Sequence, residues 1–516
     1  MRERTGWRKN GIRYAGAAGI LGLLLCGCNT GEATALQERV ETPVSEVPME
    51  MTEMTIKTGN YKNGISCHDP QILYANGTYY MTGSHQVLAK SQDLKEWQYN
   101  GNKMFSNIYS GDLPAFAYVG KNDQGDYSVW ASNLYYSETM GKYLMYFCTS
   151  STYIKSTLAL AVSDTPDGPY TYTDTLLYSG FETSTVDQTD VKAVLGEDAD
   201  IDRYFKYGGY DNKKWPNCID PAIIEDTDGK IWMIYGSWSG GLFLLQIDPA
   251  TGLPIHPEAD EANGVDPYFG YHLIGGGHHA CEGPYLTYSP ETGYYYLFAS
   301  FGGLNREEGY QIRQFRSASI TGPYLDAAGQ LMGDQENYMS YGLKMMGNYK
   351  LPSLETAYMA PGGQSVFTGA DGDTYLVYHQ RFDQGTEYHE PRVHKIFMNR
   401  DGWYVAAPFE YQGEKLSESG YDTAGIRGTF YVLDHEQDVG NLIHTAEECS
   451  FENGVIRGAF EGSYEVAEGS CDIRITINGK EYCGVIVEMT DEAGNDTLCI
   501  TAAGADNRSI WAVQYR

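Results

Sequence analysis

The chain is 516 residues long, carries a formal net charge of −32, and is 42% hydrophobic with 13% aromatic residues. That length asks for two folded domains and a leader, and the apolar fraction excludes a disordered chain. So acidic a surface repels phosphate backbones, which excludes nucleic acid as a partner.

The first residues have the form of an export signal. Arg2, Arg4, Arg8, Lys9 and Arg13 make a basic start, and Tyr14 to Leu25 an apolar stretch too short to span a bilayer stably. Leu25-Cys26-Gly27-Cys28 resembles a bacterial lipobox, so residues 1–28 are expected to be a lipoprotein signal with Cys28 as the lipid-bearing residue. An ordinary cleaved signal with incidental cysteines is the alternative. Residues 29–55, rich in Glu, Thr and Pro, read as a flexible linker above a cell surface.

From residue 56 to 412 the chain repeats an apolar strand, a turn and a Tyr-rich strand. The copies are Ile72-Leu73-Tyr74 before Asn76-Gly77, Leu134-Tyr135-Tyr136 before Gly141, and Ala222-Ile223-Ile224 before Asp228-Gly229. Tyr285-Leu286-Thr287 before Gly293 and Ser365-Val366-Phe367 before Asp371-Gly372 complete the set. Asn-Gly and Asp-Gly between β-rich runs mark hairpins, because a tight two-residue turn needs positive φ. A weaker pair of strands follows each copy, as at Leu160-Ala161-Val162-Ser163 and Phe315-Arg316-Ser317. Four strands per repeat predict an all-β, five-bladed β-propeller.

Gln412 to Ala424 is polar and reads as a linker. Short strands resume at Thr429-Phe430-Tyr431-Val432, Ile473-Arg474-Ile475-Thr476-Ile477 and Gly484-Val485-Ile486-Val487, predicting a small β-barrel or sandwich domain over 425–516. Outside the leader lie Cys67, Cys148, Cys218, Cys281, Cys449, Cys471, Cys483 and Cys499, with no CxxC pair, so a structural zinc site is not expected. The last four are compatible with disulfides or with buried free thiols.

Innermost propeller strands converge on one channel, so the residues that open them share a space. Aligned by repeat, these are Asp69, Ser132 or Asn133, Asp220, Glu282, and Gln364 or Ser365. Three acids in one confined space repel each other, and at least one is expected to stay protonated near neutral pH. An acid, an ionised base and a modulating carboxylate suit glycosidic cleavage. In the inverting form the acid and base stand about 6.5–9.5 Å apart to admit a water. Asp-Pro turns and a calcium site are the competing explanations of such carboxylates.

His68-Asp69-Pro70, Ile219-Asp220-Pro221 with Tyr235-Gly236-Ser237-Trp238, and Glu282-Gly283-Pro284-Tyr285 resemble glycoside hydrolase family 43. Tyr296-Leu297-Phe298-Ala299-Ser300-Phe301 and Ser319-Ile320-Thr321-Gly322-Pro323-Tyr324 look like the endo-α-1,5-arabinanases of that family. Asn478-Gly479-Lys480-Glu481-Tyr482 and Ile510-Trp511-Ala512 look like the accessory β-domain of the larger ones. The resemblance implies an inverting hydrolase of internal arabinan linkages, with Asp69 as base, Glu282 as acid and Asp220 raising the acid's pKa. It also implies sugar contacts at Asn217, Ser237, Trp238 and Ser239, and one calcium ion near His379 without an organic cofactor. Trp130 is expected to stack on a sugar, and His278 and His279 to lie beside the acid strand. The expected partner is a plant polysaccharide of the arabinan or pectin side-chain type, met by a monomer. An exo-acting α-L-arabinofuranosidase or β-xylosidase, and a non-catalytic glycan-binding propeller, are the alternatives. Ser132-Asn133 after Trp130-Ala131, and Cys281-Glu282-Gly283, depart from the usual family pattern.

Overall fold

The computed structural model describes residues 55–101 and 113–516. The expected signal at 1–28, its Cys28 and all of the spacer but Thr55 lie outside the described residues. Five antiparallel sheets follow in chain order. Blade one comprises Gln71–Ala75, Thr78–Thr82, Leu88–Ser91 and Gln98–Gly101, and blade two Ser128–Ser137, Lys142–Ser150, Ser156–Ser163 and Thr171–Tyr178. Blade three is built on Ala222–Glu225, Ile231–Ser237, Gly241–Ile247 and Gly270–Ile274. Blade four holds Cys281–Ser289, Tyr294–Phe301, Gln311–Ser317 and Leu343–Met346; blade five holds Tyr358–Thr368, Thr374–Phe382, His389–Met398 and Tyr404–Ala406. The architecture is the expected five-bladed propeller.

Turn chemistry and burial explain the strands. Asn76 and Gly77 both take positive φ, 52° and 76°, and close the first hairpin in two residues. Central strands read as unbroken apolar runs because both blade faces pack on neighbours. Leu158, Ala159, Leu160 and Ala161, for instance, are all fully buried. Ser365 Oγ donates to the carbonyl of Pro70 at 2.9 Å and Ala370 N to Tyr79 Oη at 3.0 Å, joining blade five to blade one.

The C-terminal strands from Gly428–Asp434 to Ser509–Tyr515 form a closed eight-stranded barrel, which settles barrel over sandwich. Its interior is filled by Phe430, Ile475, Ile486, Ile500 and Ile510. A single apolar cluster runs from propeller residues Tyr349, Tyr358 and Tyr404 to barrel residues Val485, Trp511 and Val513. All eight cysteines outside the leader are free thiols, seven of them buried.

The register of the inner strands corrects one expectation. Each blade opens at a residue with positive φ: Asp69 (51°), Ala131 (33°), Asp220 (56°), Gly283 (57°) and Gly363 (57°). These five, with the two residues after each, line a narrow axial cavity of about 40 Å³. Glu282 is therefore one residue ahead of the position that Asp69 and Asp220 occupy, and Ser132 and Gln364 are one residue behind it. The cause is a bulge. Glu282 pairs with Ser300 and Tyr285 with Phe298, so blade four fits one extra residue into its inner strand, as blade two does, while blade five fits two.

Candidate active site

Above the axial cavity opens a cleft of about 770 Å³ whose lining includes Asp69, Asp220 and Glu282. The shift of Glu282 by one residue does not remove it from the other two, because the inner strands converge here.

Asp69 sits in a ring of donors. Its Oδ2 accepts from Ser84 Oγ at 2.6 Å and lies 2.7 Å from His68 Nδ1. Arg381 Nη2 stands 3.3 Å from His68 Nε2. A guanidinium only donates, so Nε2 accepts and the His68 proton is assigned to Nδ1, pointing at Asp69. Burial alone raises the pKa of Asp69, but the bonds from His68 and Ser84 and the charge of Arg381 outweigh it. Asp69 is held below the ordinary carboxylate range and is ionised near neutral pH. Gly363 is obligatory beside it: a Cβ there would lie 2.2 Å from Asp69 Oδ1.

Glu282 has the opposite setting. Burial pushes it up to about 7 with help from the charge of Asp69, against the bonds it accepts from Tyr310 Oη at 3.0 Å and Ser237 Oγ at 3.3 Å. Asp220 is pushed well above its ordinary value by burial, then by Glu282 and Asp69, with the Gly283 N–H at 3.1 Å pulling down. Burial and like charge thus raise both Asp220 and Glu282 above the ordinary carboxylate range. One carboxyl held low and two held high share a single cleft.

The other expected residues divide. Trp130 lines the cleft, its Nε1 donating to Ser150 Oγ at 2.8 Å and its ring 4.9 Å from that of His85. Asn217 lines it too, with Nδ2 donating to Tyr153 O and Oδ1 accepting from Ser179. Ser237 reaches the site through Glu282. Trp238 and Ser239 do not line the cleft; they meet His278, Trp238 by ring contact at 5.9 Å and Ser239 by Oγ to Nδ1 at 3.3 Å. A tight bend at Gly240 and Gly241, both with positive φ, ends the strand before them. His279 stacks on Tyr338, 4.6 Å away, and its Nε2 meets the Asp334 carbonyl.

His379 is fully buried, its ring stacked 3.9 Å from His68. With Asp69 and His68 it forms the one grouping among the described residues close enough to share a metal ion. The backbone N–H of Asp69 points at His379 Nδ1, 3.3 Å away, which assigns the ring proton to Nε2, a buried atom without a hydrogen-bond partner, so His379 could meet an ion only through a water. One carboxylate among two imidazoles is also far from the oxygen-rich shell that calcium takes.

Sequence reasoning missed Ser84, Tyr310 and Arg381. His68 was visible as the residue before Asp69, whereas the other three lie in segments without a motif. They reach the cleft only through blade packing.

Comparison with known proteins agrees with this geometry. The profile described as Glycosyl hydrolases family 43 matches residues 61–214 and 199–404, and a C-terminal lipocalin-like domain matches 408–512. The chain is 35% identical over 471 residues to an extracellular endo-α-(1→5)-L-arabinanase of Bacillus subtilis, covering 87% of this chain and 92% of that one. A Thermotoga petrophila protein of the same description is 33% identical over 87% of this chain and 93% of its own. Among solved structures, the endo-1,5-α-L-arabinanase of Thermotoga petrophila superposes with a TM-score of 0.76 at 31% identity, covering 90% of this chain and 100% of that one. A family 43 protein of Bacillus licheniformis gives 0.75 at 34% identity, covering 87% and 98%.

Proposed function

We propose that this chain, which belongs to glycoside hydrolase family 43, cleaves internal α-1,5-L-arabinofuranosidic linkages of arabinan with inversion at the anomeric carbon. The observation that carries the reading is the opposed protonation of Asp69 and Glu282 in one cleft. Asp69 takes a proton from a water as the water oxygen bonds to the anomeric carbon. Glu282 gives its proton to the departing O5 of the next arabinose as the glycosidic C–O bond breaks. Glu282 then leaves as carboxylate and Asp69 as acid, and solvent exchange resets both. Asp220, coupled to Glu282, keeps a proton in the pair until it is used.

Endo action rests on the shape of the cleft. It shares His85, Asn122, Ser128, Trp130 and Ser151 with a second open hollow of about 780 Å³ along residues 121–128. A cleft that runs on into a second hollow leaves room for sugars beyond those at the carboxylates, as cleavage within a chain needs. The relatives named extracellular and the basic-apolar start at residues 1–28 together support export, with Cys28 as the anchor. Chromatography of digests tests the reading: linear arabinan should yield oligosaccharides of several lengths at early times. Release of arabinose alone, or turnover on xylan in its place, would overturn it.

A further inference from the structure

The barrel reaches into the propeller. Between its strands Gly428–Asp434 and Glu447–Glu452, the chain runs along blade four, and His444 and Thr445 pair in parallel with Tyr349 and Lys350. Midway, Asp438 meets the blade-four strand Gln311–Ser317. Its backbone oxygen accepts from Gln311 Nε2 at 2.7 Å and Arg313 Nη2 at 3.2 Å. Its Oδ1 takes the buried ammonium of Lys344 at 2.5 Å and lies 3.3 Å from His444 Nε2. Two residues on, the backbone of Gly440 presses against Gly309, where a Cβ would lie 2.6 Å from the Gly440 oxygen.

Gly309 and Gln311 are therefore both gripped by the barrel, and Tyr310 stands between them. Its hydroxyl donates to Glu282 Oε1 at 3.0 Å, and its ring stacks on His379 with centroids 5.7 Å apart. We infer that the Asp438–Gly440 loop of the C-terminal barrel positions Tyr310, and through it the carboxyl of Glu282, so that the barrel completes the acid side of the propeller's site. The groups facing Glu282 are the hydroxyls of Tyr310 and Ser237, the carboxylates of Asp69 and Asp220, and His68. Of these, only Tyr310 is flanked on both sides by residues that the barrel holds. The inference rests on Glu282 being the general acid. Asp438 is a positioning residue: it does not line the cleft, and it acts by fixing the direction from which Glu282 is held.

The test uses leaving-group dependence in the full chain. Arabinan's leaving oxygen needs a proton, whereas a nitrophenyl arabinotrioside expels a phenolate that does not. Asp438→Ala is expected to lower kcat on linear arabinan at least tenfold, within the ~10²–10⁴ that general acid catalysis supplies, with KM nearly unchanged. On the nitrophenyl trioside the loss should stay below about twofold. In a Tyr310→Phe background the same substitution should add nothing, since coupled residues are non-additive. Equal losses on both substrates, or full additivity with Tyr310→Phe, would overturn the inference. Asp438→Ala leaves the Lys344 ammonium unpaired, so Gln311→Ala, which spares that ion pair, answers the same question if the first variant does not fold. Glu282→Gln separates the two levels. Should it keep arabinan hydrolysis, the acid assignment fails; should it be inactive on arabinan while Asp438→Ala and Gln311→Ala behave as wild type, only the barrel's part fails.

Discussion

The two β-structures of this protein are packed to opposite ends. Along the propeller axis the strands open on bulges and left-handed residues, and the space is left to Gln71, Asn133, Gln364 and three carboxylates. The barrel, also closed on itself, fills its interior with Phe430, Ile475, Ile486 and Ile500. A closed sheet becomes a site where regular pairing is interrupted and polar groups are left facing one another. Where pairing is uninterrupted, it becomes a brace. Strain at Asp69 and Asp220, non-glycine residues at φ of 51° and 56°, belongs to the first kind.

The sharpest way to break that contrast is to empty the axis. Asp69→Ala, Asp220→Ala and Glu282→Ala should each cut arabinan hydrolysis by at least ~10³-fold, since a positioned acid or base alone contributes ~10²–10⁴. Calorimetry should show melting temperatures at or above that of the parent for Asp220→Ala and Glu282→Ala, whose burial and repulsion are relieved, and a lower one for Asp69→Ala, which strips His68 and Ser84 of their acceptor. Loss of folding in these variants would mean that the carboxylates hold the propeller together. The barrel should answer in reverse. Ile500→Ala removes a fully buried side chain and should cost about 2–5 kcal/mol in denaturant unfolding, while kcat of the folded fraction stays within twofold.

Proton binding gives the next test. With Glu282 near 7, kcat should fall with rising pH above neutrality, about tenfold per unit on the alkaline limb. Stability should follow the same sign. A carboxyl whose folded pKa is raised binds its proton more tightly when folded, so its contribution is present below the unfolded value near 4.5 and is lost as pH climbs through about 7. Glu282→Gln should therefore melt above the parent at pH 8 and match it more closely at pH 4. Asp69 lies the other way. His68→Asn removes a donor that holds Asp69 down, so the acid limb of the rate profile should move to higher pH. The smallest shift in the pH profile is expected at Tyr310→Phe: beside its loss of rate on arabinan, the lost donor should lift Glu282 further and carry the alkaline limb upward by a fraction of a unit.

Much of this was legible without coordinates. Turn pairs such as Asn76-Gly77 and Asn478-Gly479 announce hairpins by backbone chemistry alone, and repetition of the hairpin announces the propeller. Asp69, Asp220 and Glu282 stood out because each precedes a Pro or Gly-Pro at a strand start. That same spelling hid the register: Glu282-Gly283-Pro284 carries one residue more than Asp69-Pro70, and only the pairing of Glu282 with Ser300 shows where it falls. Trp238 and Ser239 followed the family pattern, yet the bend at Gly240 and Gly241 places them on His278 outside the cleft.

What the sequence determined by itself is whatever depends on neighbours along the chain: hairpins, blade count, the acidic surface and the motif carboxylates. Tertiary structure alone decided their electrostatics. Ser84, Arg381 and Tyr310 lie 15, 312 and 28 positions from the carboxylates they serve (84 − 69, 381 − 69, 310 − 282), and no local pattern marks them. Burial and donor geometry set which acid keeps its proton, and both are properties of the space that five blades and a barrel loop enclose together.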